Sequence, residues 1–105
     1  MKNLFDLHGK AALVTGGSRG IGEMIATGFV SNGVKTYISS READACDATV
    51  VRLSELGECI SIPADLSSAE GVQHLADELG KREERLDILV NNAGATWGEP
   101  IDDFS

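Results

Sequence analysis

The stretch AALVTGGSRGIG, residues 11–22, decides the fold of this 105-residue chain. Its apolar beginning is typical of a strand buried on both faces, and Gly16, Gly20 and Gly22 follow at once. Apolar residues then recur at helical spacing, at Ile21, Met24, Ile25 and Phe29. The glycines therefore lie where a strand turns into a helix. Because glycine allows a tight turn and a helix start presents free N–H groups, this stretch predicts a phosphate-binding loop.

The spacing of these glycines is more specific than their number. The general dinucleotide fingerprint is G-x-G-x-x-G, whereas here three residues separate Gly16 from Gly20 and one separates Gly20 from Gly22. The pattern T-G-x-x-x-G-x-G, which begins at Thr15, resembles that of the short-chain dehydrogenase/reductase family. A glycine triplet can also mark an ordinary tight turn, but the strand before it and the helix after it favour nucleotide binding.

Composition narrows the class of protein. The length suits one domain at most, and 17 acidic against 9 basic residues argue against nucleic acid or an anionic membrane as a partner. The sequence has neither the apolar run of a signal peptide nor a stretch of about 20 apolar residues that could span a bilayer. Its two cysteines, Cys46 and Cys59, fit no metal-ligand spacing. We therefore expect buried thiols, no metal site and a cytoplasmic protein.

Strand and helix patterns alternate along the chain. Strands are predicted at residues 11–14, 34–39, 59–63 and 86–90, with a helix between each successive pair. This alternation predicts an α/β fold with a Rossmann-type, doubly wound parallel sheet. The family resemblance implies that strand one lies between strands two and four. It also implies that the sheet is incomplete, with only the first four strands and three helices of the family's fold.

The local patterns also predict how the second and third helices begin. Ser39 with Glu42 and Ser67 with Glu70 have the spacing of capping boxes. Along the third helix, apolar residues recur at i, i+3, i+4 and i+7, at Val72, Leu75, Ala76 and Leu79. We expect this stripe to pack against the sheet.

The residues after the second strand predict the type of cofactor. An enzyme that prefers NAD usually places an acid here, against the ribose 2′-hydroxyl, whereas this strand is followed by Ser40 and Arg41. Arg41 and Arg19 could bracket a 2′-phosphate with permanently charged donors, which predicts NADP. Glu42 argues against this, although the predicted capping box gives it a structural role. Each arginine alone could instead be a solvated side chain, but their joint placement favours phosphate binding.

Two further motifs match the family. The resemblance implies that Asp65 accepts a hydrogen bond from the adenine amino group, that Leu66 lines the adenine pocket, and that the turn at residues 91–94 borders the adenosine ribose. Asp65 could instead serve only the helix entry, and an Asn-Asn turn is common. The predicted cofactor site therefore comprises Gly16, Ser18, Arg19, Gly20, Ile21, Gly22, Ser40, Arg41, Asp65, Leu66, Asn92, Ala93 and Gly94.

The family's catalytic group has no counterpart here. Its proton donor is a tyrosine four residues before a lysine, but the one tyrosine, Tyr37, is followed at that distance by Arg41. Tyr37 also lies in the second predicted strand, on the adenosine side, which favours a core or sheet-face role. We therefore expect residues 1–105 to be the N-terminal portion of a single dinucleotide-binding domain without its catalytic half, and inactive alone.

We interpret the chain as the NADP-binding part of a short-chain oxidoreductase that transfers hydride from NADPH to a carbonyl. The sequence resembles the branch that reduces 3-oxoacyl groups on acyl carrier protein, especially the type associated with rhamnolipid synthesis. This resemblance implies a small-molecule or acyl-carrier-bound carbonyl substrate, and a dimer or tetramer for the complete protein. The alternative is a non-catalytic nucleotide-binding or interaction module that ends at residue 105. A Tyr-x-x-x-Lys pair encoded downstream would distinguish the two.

Overall fold

The computed structural model describes residues 7–92. Its elements, in chain order, are β1 (Ala11–Thr15), α1 (Gly20–Ser31), β2 (Lys35–Ser39), α2 (Ala43–Leu53), β3 (Cys59–Ser61), α3 (Ala69–Arg82) and β4 (Ile88–Asn91). The predicted alternation of strands and helices is confirmed, and the strand bounds agree with the prediction to within two residues. Within residues 7–92, no helix has the length and apolar character needed to cross a membrane.

The four strands form one parallel sheet in the order β3-β2-β1-β4. The carboxyl ends are in register, with Thr15 of β1 opposite both Ser39 of β2 and Asn91 of β4. The chain extends the sheet from β1 in one direction and then places β4 on the other side. The topological switch point therefore lies between β1 and β4, where sheets of this kind bind their ligands.

Side chains of alternate strand residues enter two separate cores. One core joins β1 and β2 to α1 and α2 through Val14, Ala26, Val30, Ile38, Cys46, Leu53 and Cys59. The other joins the opposite face to α3 through Leu13, Tyr37, Ile62 and Leu75. Helices thus cover both faces of the sheet, which confirms the doubly wound arrangement. Both cysteines are buried free thiols, as predicted, and burial raises the pKa of Cys59 to about 11.

The capping box predicted at Ser39 and Glu42 is wrong. Ser39 is the last residue of β2 and fully buried, because β2 continues to pair with β1 up to this position. Its carbonyl accepts a 2.7 Å hydrogen bond from the N–H of Gly16. Glu42 itself is the N-cap of α2, and its side chain makes no capping hydrogen bond.

The start of α3 also differs from the prediction. Ser68, rather than Ser67, is the N-cap, and its hydroxyl accepts a 3.0 Å hydrogen bond from the N–H of Gly71. Ser67 instead donates to Asp65. Of the predicted apolar stripe, Leu75 is buried and Leu79 packs against the same core, whereas Val72 and Ala76 are exposed.

Candidate functional site

A cavity of about 600 Å³ lies at the carboxyl ends of β1, β2 and β4. Seven of the predicted site residues line it, namely Gly16, Ser18, Arg19, Ser40, Arg41, Asp65 and Leu66. Its lining also includes apolar residues that the sequence did not assign to the site, namely Leu13, Ala64, Leu75 and Leu89. The cavity therefore combines a polar, charged rim with an apolar wall, as ligand sites commonly do.

The other predicted residues lie beside the cavity or outside the described part. Gly20, Ile21 and Gly22 form the first turn of α1, where Gly22 is buried and Ile21 is 66% exposed. Asn92 approaches the glycine loop through its side-chain amide, which donates to the carbonyl of Gly16 at 3.5 Å. Ala93 and Gly94 lie outside the described residues, 7–92.

The glycine loop requires glycine for two different physical reasons. Gly16 has a φ of +69°, a left-handed conformation that side chains rarely adopt. At Gly22 the constraint is space, because a Cβ atom there would lie 2.0 Å from the carbonyl oxygen of Gly16. The first turn of α1 therefore packs directly against the end of β1, and the helix start is held close to the cavity.

Thr15 joins the end of β1 to the end of β4. Its hydroxyl oxygen accepts a 2.8 Å hydrogen bond from the N–H of Asn92 and lies 3.1 Å from Oδ1 of Asn91 and 3.3 Å from the carbonyl oxygen of Val90. These contacts fix the two strand ends on either side of the switch point. Thr15 belongs to the glycine motif, but its sequence position alone did not predict this role at the site.

Thr49 is a second residue that sequence analysis missed. Its buried hydroxyl lies 3.1 Å from the carbonyl oxygen of Ser18, in the glycine loop, and 2.9 Å from that of Ala45, one turn earlier in α2. The hydroxyl can donate to either oxygen. Through the contact with Ser18, α2 supports the glycine loop. The sequence contains a signal for this role, because Thr49 is a polar residue on the same helical face as the buried Cys46 and Leu53.

Charged side chains face each other on the rim of the cavity. The guanidinium of Arg19, in the glycine loop, forms an ion pair with the carboxylate of Glu42 at the start of α2. Both side chains are largely exposed, at 71% for Arg19 and 58% for Glu42. Arg41 precedes Glu42 on the same rim and is also exposed. The two predicted arginines are thus brought to one cavity, together with an acid that sequence analysis had treated as part of a cap.

Asp65 lines the cavity and also shapes the entry to α3. Its Oδ1 accepts hydrogen bonds from the hydroxyl of Ser67 at 2.6 Å and from the N–H of Ser67 at 3.0 Å. These bonds lower the pKa of the Asp65 carboxyl, and the nearby charge of Arg41 lowers it further. Asp65 is therefore an ionised acceptor at neutral pH, and the helix-entry role that sequence analysis left open is present as well.

The fold and the loop together define a class of protein. A doubly wound parallel sheet with a glycine-rich turn after its first strand, and a cavity at the carboxyl ends beside the switch point, is the Rossmann type. Comparison with known sequences then gives the family. The family model described as "short chain dehydrogenase" matches residues 10–105. The chain belongs to the short-chain dehydrogenase/reductase family.

Two curated relatives illustrate the range of the family. The chain is 53% identical over 104 residues to the rhamnolipids biosynthesis 3-oxoacyl-acyl-carrier-protein reductase of Pseudomonas aeruginosa, covering 99% of this chain and 41% of that protein. It is 36% identical over 97 residues to the 7alpha-hydroxysteroid dehydrogenase of Escherichia coli, covering 91% of this chain and 38% of that protein. The chain therefore spans about two fifths of the length of these relatives.

Solved structures show the same fold. A Pseudomonas aeruginosa RhlG/NADP active-site complex superposes with a TM-score of 0.83 at 52% identity, covering 94% of this chain and 40% of that one. The L-sorbose reductase of Gluconobacter frateurii, complexed with NADPH and L-sorbose, superposes with a TM-score of 0.80 at 33% identity, covering 85% and 35%. The predicted fold and family are thereby confirmed.

Proposed function

We propose that this chain is the NADP-binding part of a short-chain reductase, and that the whole protein transfers hydride from NADPH to the carbonyl of a 3-oxoacyl group. One observation carries the proposal: the glycine loop, Arg19 and Arg41 meet at one cavity at the switch point of the sheet. The 53% identity to a 3-oxoacyl reductase supports the choice of substrate class.

The residues of this edge fit a dinucleotide phosphate. The loop has its left-handed turn at Gly16 and no Cβ atom at Gly22, so backbone N–H groups at the start of α1 can approach an anion closely. The cavity, at about 600 Å³, lies within the range of about 300–1,000 Å³ that is usual for ligand sites. Two guanidinium groups stand at its rim in a chain with a net charge of −8.

Each part of the site has a role in this proposal. The loop residues hold the pyrophosphate, and Arg19, Arg41 and the hydroxyl of Ser40 bind the 2′-phosphate through charge-assisted and neutral hydrogen bonds. Asp65 accepts a hydrogen bond from the adenine amino group, and Leu66 packs against the ring. When bound, NADPH supplies the hydride. Thr15 and Thr49 hold the loop in place and need not touch the cofactor.

The substrate and assembly follow from the same proposal. A 3-oxoacyl group carried by a small molecule or by acyl carrier protein is the expected substrate, and the complete protein is expected to form a homo-oligomer, a dimer or a tetramer. The proton donor of the reaction is expected outside the described residues, in a Tyr-x-x-x-Lys pair, because Tyr37 is fully buried in the sheet core.

The test uses the protein expressed from its complete gene. NADPH oxidation is followed with 3-oxoacyl esters and with unrelated carbonyl compounds, and binding of NADP and NAD is measured by titration. We expect turnover of the 3-oxoacyl substrate and tighter binding of NADP than of NAD. Nucleotide binding without any carbonyl turnover would instead support a non-catalytic nucleotide-binding module. Failure to bind either nucleotide would refute the proposal.

A further inference from the structure

We propose that Glu42 limits the affinity for NADP, because it competes with the 2′-phosphate for the guanidinium of Arg19. The inference rests on the proposed NADP site and assigns a new role to an acid within it. Glu42 would then act as a specificity-determining residue: its carboxylate occupies Arg19 when no phosphate is present, and must leave when one binds.

The first observation is the ion pair itself. Arg19 and Glu42 come from two different loops, 23 residues apart in the chain, and both line the cavity. Their side chains are 71% and 58% exposed, so water and salt screen the attraction and the pair can open at little cost. An anion that arrives at this rim therefore meets an arginine whose charge is already paired with Glu42. That pairing is weak, because both side chains are exposed.

The second observation is that the carboxylate of Glu42 is not anchored elsewhere. Glu42 is the N-cap residue of α2, but its side chain makes no capping hydrogen bond. Within residues 7–92, the Glu42 carboxylate forms a single bond, and its partner is Arg19. By contrast, Asp65 on the same rim is held by two hydrogen bonds from Ser67. Glu42 is thus the acid whose side chain can move away from Arg19 without losing another bond.

The third observation is the charge balance of the rim. The charged residues that line the cavity are two arginines and two acids, Arg19, Arg41, Glu42 and Asp65. The charge of Arg41 already acts on Asp65, whose pKa it helps to lower. Each guanidinium therefore has a carboxylate neighbour. A 2′-phosphate must overcome both the occupation of Arg19 and direct repulsion from Glu42.

The consequence differs between the two nucleotides. NAD has a 2′-hydroxyl in place of the phosphate and does not need Arg19, so the ion pair can persist. Glu42 also lies twenty residues after Gly22, about where NAD-dependent proteins place the acid that binds the ribose 2′-hydroxyl. Removing the charge of Glu42 should therefore strengthen NADP binding and leave NAD binding unchanged or weaker.

The experiment is a double-mutant cycle on the protein expressed from its complete gene. Dissociation constants for NADP and NAD are measured for the natural protein, Glu42→Gln, Arg19→Ala and the double variant. We expect Glu42→Gln to tighten NADP binding by up to about fivefold, the range that an exposed ion pair allows. The gain should shrink in the Arg19→Ala background, where no competition for Arg19 remains. Glu55→Gln, beyond the other end of α2, is the matched control for the same change in charge.

Three outcomes would overturn the inference: NADP affinity that is unchanged or weaker in Glu42→Gln, an equal gain in Glu55→Gln, or a full gain that persists without Arg19. Arg41→Ala separates this failure from failure of the proposed function. If NADP binding depends on Arg41 but ignores Glu42→Gln, the inference fails alone. If the natural protein binds neither nucleotide, the proposed function fails and the inference fails with it.

Discussion

Charged side chains have opposite roles at the two ends of the parallel strands. We call the end where the strands begin the amino edge, and the end where they finish the carboxyl edge. At the amino edge, Lys35, Tyr37 and Glu83 bind one another: the Glu83 carboxylate lies 2.8 Å from the Lys35 ammonium and accepts a 2.6 Å hydrogen bond from the Tyr37 hydroxyl. At the carboxyl edge, Arg19 and Glu42 form an exposed pair at the rim of a cavity. The amino-edge cluster holds the end of α3 against the sheet, whereas the carboxyl-edge charges face a ligand-sized space.

The comparison shows that a cluster of ionisable groups does not by itself mark a functional site. The pKa values in the amino-edge cluster are shifted: hydrogen bonds to Lys35 and then Tyr37 lower the pKa of Glu83, and the bond to Glu83 raises that of Lys35. None of its three residues lines the cavity. The feature that distinguishes the candidate site is the combination of charge, open space and a glycine loop. We therefore interpret the amino edge as structural and the carboxyl edge as functional.

The largest effect is expected from Gly22→Val, at the functional edge. A Cβ atom at this position would lie 2.0 Å from the Gly16 carbonyl oxygen and 2.9 Å from the side-chain nitrogen of Asn92. The loop must move away from the start of α1, so binding of both NADP and NAD should be lost. Nucleotide titration, with circular dichroism to confirm folding, measures the effect. Unaltered affinity would mean that the loop is only a turn.

Gly28→Ala is the matched control in the same helix. A Cβ atom at Gly28 meets nothing within 4 Å, so the substitution adds no clash. Alanine is more favourable than glycine in a helix by up to about 1 kcal/mol. We expect unchanged nucleotide affinity and equal or higher thermal stability. If Gly28→Ala also abolished binding, the loss in Gly22→Val could not be assigned to the loop.

Arg41→Ala tests the charge at the same edge. A hydrogen bond to a charged group contributes about 1.5–3 kcal/mol, so NADP should bind about tenfold or more weakly. NAD binding should barely change, because it lacks the 2′-phosphate. Titration with both nucleotides measures the ratio. Equal losses for the two would reject Arg41 as a phosphate ligand and remove the charge argument for NADP.

The strands and most of the residues at the carboxyl edge could be predicted from the sequence. Short apolar or alternating runs located the strands, and the family resemblance supplied their order. The residue pattern predicted Gly16 and Arg41 at one cofactor site, the family resemblance added Asp65, and all three do line one cavity. The helix starts were less predictable. The spacing of Ser39 and Glu42 is that of a capping box, but the pattern does not reveal that sheet pairing continues through Ser39.

The contacts between side chains of one element and the loop of another could not be predicted from the sequence. The Thr49 hydroxyl reaches Ser18 across 31 residues of sequence, and Arg19 reaches Glu42 across 23. Such pairs depend on how α1 and α2 pack on the sheet, and local periodicity carries no information on that packing. For the same reason, the position of Tyr37 in a strand predicted a core or sheet-face residue but not its bond to Glu83.

Thr49→Val is expected to have a moderate effect on both stability and binding. The variant keeps the shape of the side chain but leaves the Ser18 carbonyl without the hydroxyl, which costs about 1–2 kcal/mol for a buried acceptor. Because Thr49 supports the loop and does not contact the rim charges, NADP and NAD should lose affinity equally. Thr49→Ser retains the hydroxyl and should recover most of the affinity. A loss confined to NADP would contradict the bracing role.

The smallest effect is expected at the structural edge, from Glu83→Gln. The pKa of Glu83 is lowered from its ordinary value of 4.5, chiefly by the bond to Lys35. A carboxyl with a lowered pKa stabilises the fold fully above its unfolded pKa, and the contribution is lost as the pH falls through the folded pKa. The pKa of Lys35 is raised, so the contribution of Lys35 to the stability of the fold is complete below its ordinary pKa of 10.5. That contribution is lost only at more alkaline pH. Between acid and neutral pH, the pH dependence of this pair therefore comes from Glu83.

Glutamine keeps an oxygen that can accept from Tyr37, so Glu83→Gln removes mainly the attraction to Lys35, whose side chain is 34% exposed. For an ion pair in contact with water this is under about 1 kcal/mol. Urea unfolding of the natural protein and the variant should show the difference at neutral pH, and the difference should shrink as the pH falls through the lowered pKa of Glu83. Glu84→Gln, with the same charge change at an exposed neighbour, should show neither. Nucleotide affinity should not change, because the cluster lies at the opposite edge from the cavity. If Glu83→Gln weakened NADP binding without lowering stability, the two edges would be coupled, and the amino-edge cluster could no longer be treated as purely structural.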